Sequence, residues 1–171
     1  MQLIRAAVRE EKELAGTAGV VGFAGAASGG DIIFHETCEE LGIPTTVMLA
    51  LPPRVFAARS VDDAGPDWTA RFDRICRTHP VRVLRDGGVT GAGSDDVWQR
   101  ANLWILETAL AVEADAHALI ALWDGEGGDG PGGTEEMVRA ARECGWKIVH
   151  LDAGPLAQHA KAESSPNPRR Y

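Results

Sequence analysis

Five short apolar runs alternate with segments of helical periodicity, and this alternation constrains the fold more than any other feature of the chain. Strands are predicted at residues 20–24, 45–51, 81–84, 117–123 and 147–151. Apolar residues at a spacing of about 3.6 predict helices at residues 2–14, 30–41, 66–78, 95–113 and 134–144. Apolar strands joined by long helical connections are typical of a parallel sheet covered on both faces. We therefore predict an α/β fold with a doubly wound, mainly parallel sheet of about five strands and helices on both faces.

The length and composition fit a single domain. The chain has 171 residues, of which 44% are hydrophobic, and this suffices for one core. We predict one domain over residues 1–161 and a disordered tail over 162–171, which contains SSPNPRRY. No apolar run approaches the length of a membrane span, and no signal-peptide pattern is found, so we expect a cytoplasmic protein without a membrane partner.

The formal net charge of −8 bears on the partner. Long nucleic acid requires a basic surface, so we expect no such partner, whereas a small nucleotide needs only a local pocket. The P-loop pattern is absent, and the match to the dinucleotide-binding pattern GxGxxG is poor. The three cysteines have no CxxC spacing and are expected to be reduced. We predict neither a metal nor a cofactor.

Two strand-to-helix connections carry more glycine than a connection requires. They are GAASGG at residues 25–30 and DGEGGDGPGGT at residues 124–134. Right-handed crossovers would bring both to the carboxyl edge of the sheet, where backbone N–H groups at helix starts bind anions. Alternatively, the glycines only permit tight turns. The predicted ligand-binding residues are Gly25, Ser28, Gly29, Gly30, Asp31, Asp124, Gly132, Gly133 and Thr134.

Several of these residues have two possible roles. Asp31 could hold a ribose hydroxyl or cap the second predicted helix. His35, four residues later, could pair with Asp31 and orient a general base, or be a buried, hydrogen-bonded histidine. Asp124 directly follows a strand and is expected at the pocket edge. Thr134 could bind phosphate, cap its helix, or both, and Trp123 could stack on a base or pack in the core.

The two glycine-rich segments resemble family signatures. GAASGGDIIFH is similar to the G-x-A-x-G-x-D-x-x-x-H pattern of the DNA-processing protein A (Smf) family. DGPGGTEE is similar to the PGG-x-G-T-x-x-E motif of the LOG phosphoribohydrolases and to a loop of nucleoside 2-deoxyribosyltransferases. Together they resemble the SMF/DprA–LOG (SLOG) superfamily over roughly residues 18–152, and in particular bacterial domains attached to tetratricopeptide-repeat signalling proteins. The resemblance implies a Rossmann-like fold and a nucleotide-derived ligand.

The resemblance leaves two functions open, because sensors and N-glycosidases both occur in the superfamily. In the first, the chain binds a nucleotide-type signal without reaction. In the second, it cuts a nucleoside N-glycosidic bond, with Glu135, Glu136 or Glu107 as the catalytic carboxylate. Met137 stands where the LOG motif has its glutamate, so we expect binding rather than LOG-like hydrolysis.

The start of the chain suggests a homodimer. The superfamily fold usually opens with a strand, whereas this sequence begins inside its first predicted helix. The missing strand would pair with residues 20–24, and its absence would leave an unpaired edge. Another subunit could cover this edge, the sheet could rearrange around a different edge, or the recorded start could lie downstream of the true one. We expect a homo-oligomer, most simply a homodimer, that buries apolar surface of the first helix or of the helix containing residues 98–110.

Overall fold

The computed structural model describes residues 2–85, 94–123 and 133–154, with the backbone alone for residues 94–96. The strands are β1 (Gly22–Ala24), β2 (Thr45–Leu49), β3 (Val81–Val83), β4 (Ala118–Trp123) and β5 (Lys147–Asp152). The helices are α1 (Gln2–Ala15), α2 (Gly30–Glu40), α3 (Pro53–Ser60), α4 (Pro66–Thr78), α5 (Ser94–Leu110) and α6 (Thr134–Glu143). All five predicted strands and all five predicted helices are present, with ends that differ by a few residues. The tail predicted at residues 162–171 lies outside the described residues.

The strands are parallel, as predicted, but they form two sheets. The first has the order β1-β2-β3 and the second pairs β4 with β5. The prediction of a single five-stranded sheet is therefore not confirmed for the described residues. β1 is only three residues long, so its free edge has few groups with which to pair a further strand. Apolar side chains join the two sheets instead: Ile120 and Leu122 of β4 pack against a cluster that contains Ile4, Val8 and Ile33.

Helix α3 is an addition to the predicted elements, because the sequence analysis places nothing between the strand at residues 45–51 and the helix at residues 66–78. Proline at the first helical position loses no helical hydrogen bond, and Pro53 occupies that position in α3. Burial of one aromatic side chain fixes the helix in place: Phe56 stacks on Phe72 at 6.0 Å and meets the edge of Trp98 at 5.6 Å. The structure thus corrects the sequence analysis at this segment.

Helix α1 crosses the molecule from one edge of the sheets to the other. Near its start, Ile4 lies beside Gly30 at the beginning of α2. Near its end, the Glu11 carboxylate accepts a hydrogen bond at 2.6 Å from Lys147, the first residue of β5. α1 therefore begins at the edge where the strands end. In the described parts of the chain, no helix is long and apolar enough to cross a membrane.

Candidate functional site

The first glycine-rich loop connects β1 to α2, and the carboxylate of Asp31 closes it. Asp31 is the second residue of α2, and its Oδ2 atom accepts a hydrogen bond from the Ala27 N–H at 3.0 Å. The same oxygen lies 2.6 Å from the position that a Cβ atom on Gly25 would occupy. Glycine at position 25 therefore makes room for the carboxylate.

Enclosure of the Asp31 carboxyl group raises its pKa above the ordinary value, and the hydrogen bond from Ala27 opposes this shift. The helix-capping role is not observed. The N-cap of α2 is Gly29, and no side chain hydrogen-bonds there. Asp31 instead folds back on the loop that precedes it.

The His35 side chain connects the loop to β2 through two hydrogen bonds. Its side chain is fully buried, with Nε2 2.9 Å from the Gly25 carbonyl oxygen and Nδ1 2.8 Å from the Thr45 Oγ1 atom. A carbonyl oxygen only accepts hydrogen bonds, so Nε2 carries the hydrogen and Nδ1 accepts from the Thr45 hydroxyl. Burial lowers the pKa of His35 to about 4, and the ring is neutral at pH 7. The structure agrees with the buried, hydrogen-bonded alternative, and no Asp31–His35 pair is formed.

Gly29 leaves one side of the loop open. Its backbone has φ 98° and ψ −115°, which only glycine adopts readily. No atom of the described residues lies within 4 Å of the position of an added Cβ. The Ser28 N–H donates to the Ser60 carbonyl at 2.9 Å, and the Ile33 N–H donates to Gly29 at 3.1 Å. Among the described residues, the first-turn N–H groups of residues 30–32 thus have no acceptor.

The start of α2 lies against the end of β4. A Cβ atom on Gly30 would be 3.8 Å from Ile4 Cδ1 and 4.0 Å from Leu122 Cδ2. Leu122 is the penultimate residue of β4, which leads into the second glycine-rich segment. The end of the first glycine-rich segment therefore lies beside the end of β4, the strand that precedes the second segment. Asp124 and Gly132 lie outside the described residues.

The start of α6 has a different construction. Gly133 is its N-cap, with φ −73° and ψ 173°, and no side chain hydrogen-bonds there. Thr134 is the first helical residue and so is not the cap that the sequence suggested. The Glu136 carboxylate accepts a hydrogen bond from Gln99 Nε2 at 2.5 Å and lies 3.4 Å from Arg139. Glu135 is exposed.

The structure does not gather the three glutamates proposed for catalysis. Glu107 is exposed in the last turn of α5. Gln99, which contacts Glu136, lies eight residues earlier, about 12 Å along the helix axis at 1.5 Å per residue. Met137 lies in the first turn of α6 and its N–H donates to Gly133 at 3.4 Å.

Two supporting contacts were missed by the sequence analysis. Ser60 is the last residue of α3, and its carbonyl oxygen accepts the hydrogen bond from the Ser28 N–H. This contact could not be predicted because α3 itself was not predicted. His150 of β5 donates from Nε2 to the Trp123 carbonyl at 3.0 Å, and the two rings lie 5.6 Å apart. Trp123 is half-buried, and its ring meets a histidine at the end of β4.

These features define an α/β protein with parallel strands whose first strand-to-helix loop ends in an open glycine. No protein-family model matches the chain, and no curated protein matches it.

Proposed function

We propose that this chain binds a nucleotide-type ligand at the edge where β1 and β4 end, and that it acts as a sensor or signalling domain. The observation that carries the proposal is Gly29. Gly29 has a positive φ, which suits glycine, and no atom of the described residues lies within 4 Å of the position of an added Cβ. The N–H groups that follow it in the first turn of α2 have no acceptor among the described residues. The start of the 11-residue helix α2 also carries the positive end of its dipole, which favours an anion such as phosphate.

Asp31 favours a nucleotide over inorganic phosphate. A carboxylate oxygen accepts hydrogen bonds from hydroxyl groups, such as those of a ribose. A nucleoside monophosphate presents a phosphate and ribose hydroxyls on one molecule. In the proposed complex, the phosphate accepts hydrogen bonds from the N–H groups after Gly29. A ribose hydroxyl donates a hydrogen bond to the Asp31 carboxyl group.

The motif that suggested the SLOG superfamily supports this assignment in physical terms. Gly25 makes room for Asp31, Asp31 binds Ala27, and His35 binds the Gly25 carbonyl. Each of these residues therefore shapes the loop directly. We accordingly propose a Rossmann-like, SLOG-type domain. The N-glycosidase alternative gains no support from the described residues, because Glu107 and Glu136 lie apart.

Replacement of Gly29 by alanine tests the proposal. The added methyl group would occupy the open side of the loop. Gly65 supplies a matched control, because it is the N-cap of α4, has φ 104° and, among the described residues, also has no atom within 4 Å of its Cβ position. Gly29→Ala and Gly65→Ala should both lower the melting temperature through backbone strain.

Only Gly29→Ala should weaken the binding of adenosine monophosphate in calorimetry, by at least about tenfold. Adenosine and inorganic phosphate, titrated separately, should each bind more weakly than the intact nucleotide. Absence of binding to every monophosphate of a four-base panel would refute the proposal. Equal affinity of the two glycine variants would show that the ligand binds elsewhere.

A further inference from the structure

Helix α3 contacts the first glycine-rich loop through its last residue. The Ser28 N–H donates a hydrogen bond at 2.9 Å to the carbonyl oxygen of Ser60, which ends α3. Ser28 directly precedes Gly29, the residue that leaves one side of the loop open. The last turn of α3 therefore lies next to the position proposed for the phosphate.

The last turn of α3 carries one basic side chain, that of Arg59. Arg59 is exposed, and within the described parts of the chain it has neither a hydrogen bond nor an ion pair. By contrast, Arg5, Arg71 and Arg74 each pair with a glutamate of α2. The guanidinium group of Arg59 is therefore available as a donor to a ligand.

Arg59 lies on the side of α3 that packs against the rest of the molecule. It follows the buried Phe56 by three residues, and residues at this spacing share one side of a helix. The other arginine of α3, Arg54, comes two residues before Phe56 and therefore lies on the opposite side. Arg54 is also exposed and, among the described residues, has no ion pair. The two arginines thus differ mainly in their side of the helix and in their distance from Ser60.

The chain path limits the distance between Arg59 and the start of α2. Two peptide units and the Ser28–Ser60 hydrogen bond join the Cα atoms of Arg59 and Gly29, so these atoms lie no more than about 14 Å apart. An extended arginine side chain covers about 7 Å. A phosphate that accepts hydrogen bonds on two sides separates the donor nitrogens by about 8 Å. One phosphate can therefore bind Arg59 and the start of α2 at the same time.

We propose that Arg59 binds the phosphate group of the nucleotide, together with the N–H groups that follow Gly29. This inference rests on the proposed function, and it adds a charged side chain from α3 to a phosphate site otherwise formed by backbone groups. The planar guanidinium group donates two parallel hydrogen bonds to phosphate oxygens. Its charge also offsets the formal net charge of −8, which disfavours the approach of an anion.

Substitution of the two arginines of α3 tests the inference with a matched control. Arg59→Gln should weaken the binding of adenosine monophosphate by at least about tenfold in calorimetry at low salt, whereas Arg54→Gln should bind as the unchanged chain does. Arg59→Lys keeps the charge but loses the paired hydrogen bonds, so its affinity should be intermediate. Circular dichroism checks that each variant is folded, as expected for changes at exposed positions.

Salt dependence gives a second measurement. Added salt screens the attraction between the guanidinium group and the phosphate, so it should weaken the binding of adenosine monophosphate more in the unchanged chain than in Arg59→Gln. A cation near the end of α3 also stabilises the helix through its dipole. If that were the whole role of Arg59, the Arg59→Gln variant would melt at a lower temperature but bind the nucleotide with unchanged affinity and unchanged salt dependence.

The outcomes separate this inference from the proposed function. Unchanged affinity in Arg59→Gln, or an equal loss in Arg54→Gln, would overturn the role of Arg59. The site at Gly29 would still stand if Gly29→Ala weakened binding. Absence of binding of any nucleoside monophosphate to the unchanged chain would overturn the proposed function and this inference together.

Discussion

The starts of α2 and α6 both follow glycine-rich segments, yet the side chains near them make different hydrogen bonds. Before α2, the loop is tied by Asp31, by His35 and by the carbonyl of Ser60. Neither N-cap, Gly29 or Gly133, has a side-chain hydrogen bond, but at the start of α6 the Glu136 carboxylate accepts a hydrogen bond from Gln99 of α5. Within the described residues, Asp31 folds back on the loop before its own helix, whereas Glu136 connects α6 to the neighbouring helix α5.

The glycines of the first loop do not hold it in place by themselves. What braces the first loop is a buried side chain one turn into the helix and a carboxylate that folds back. A braced loop holds its remaining N–H groups in fixed directions, which lowers the entropy cost of ligand binding. The following predictions test how much each brace contributes, beginning with the largest effect.

Replacement of His35 by alanine should remove the main brace. It deletes two buried hydrogen bonds and leaves a cavity, so the free energy of unfolding should fall by about 3 kcal/mol. Urea unfolding at pH 7 measures this. His150→Ala is the control, because that ring is exposed and should contribute less than about 1 kcal/mol. Equal losses in the two variants would show that burial of His35 is not important.

The same histidine predicts a dependence of stability on pH. Burial lowers the pKa of His35 from 6.5 to about 4 in the folded protein, so the unfolded chain binds this proton more readily. Its contribution is complete above pH 6.5 and is lost as the pH falls towards 4, by about 3 kcal/mol in total. The slope over this range should be smaller in His35→Ala. His79, whose ring lies 5.6 Å away, should be replaced separately to assign the effect.

Alanine at position 25 should disturb the carboxylate brace. Its Cβ atom would lie 2.6 Å from Asp31 Oδ2, so the carboxylate must move away from Ala27, at a cost of about 2 kcal/mol. Gly19→Ala is the control, because no atom of the described residues lies within 4 Å of its Cβ position. Combining Gly25→Ala with Asp31→Ala should cost less than the sum of the single changes. Strict additivity would mean that the two residues do not compete for this space.

Asparagine at position 31 should retain the brace and remove its charge. The raised pKa of Asp31 means that folding favours the neutral carboxyl group, and this contribution is lost as the pH rises through the ordinary value of 3.8 and above. The asparagine oxygen can still accept from Ala27. Asp31→Asn should therefore be more stable than the unchanged chain at pH 7, and the difference should shrink as the pH falls. A less stable variant at pH 7 would show that the helix dipole outweighs desolvation.

The smallest effect is expected at α6. Glu136→Gln keeps an acceptor for Gln99 and removes a partly exposed ion pair with Arg139. Its free energy of unfolding should change by no more than about 0.5 kcal/mol in thermal or urea unfolding. A loss as large as that of Gly25→Ala would mean that the contact between α5 and α6 is also a brace of the site.

Much of the fold could be predicted because its signals are local. Residues 66–78 were predicted as a helix, and Pro66–Thr78 is a helix, because proline and aspartate at its start and apolar periodicity along it act within a few residues. The short apolar strands were recognised for the same reason. Of the candidate site, the adjacency of α2 to the end of β4 followed from parallel topology alone.

Tertiary structure decided what depends on distant partners. Helix α3 forms because Phe56 finds Phe72 and Trp98, two residues far along the chain. Side chains of β4 pack on α1, while β4 pairs only with β5 among the described strands. The direction of the Asp31 carboxylate depends on the space beside Gly25. By itself, the sequence determined the order and type of most elements and their parallel strands. The tertiary structure also decided which N–H groups at the start of α2 have no partner among the described residues. Buried donors and acceptors are generally hydrogen-bonded, and their partners come from distant parts of the chain.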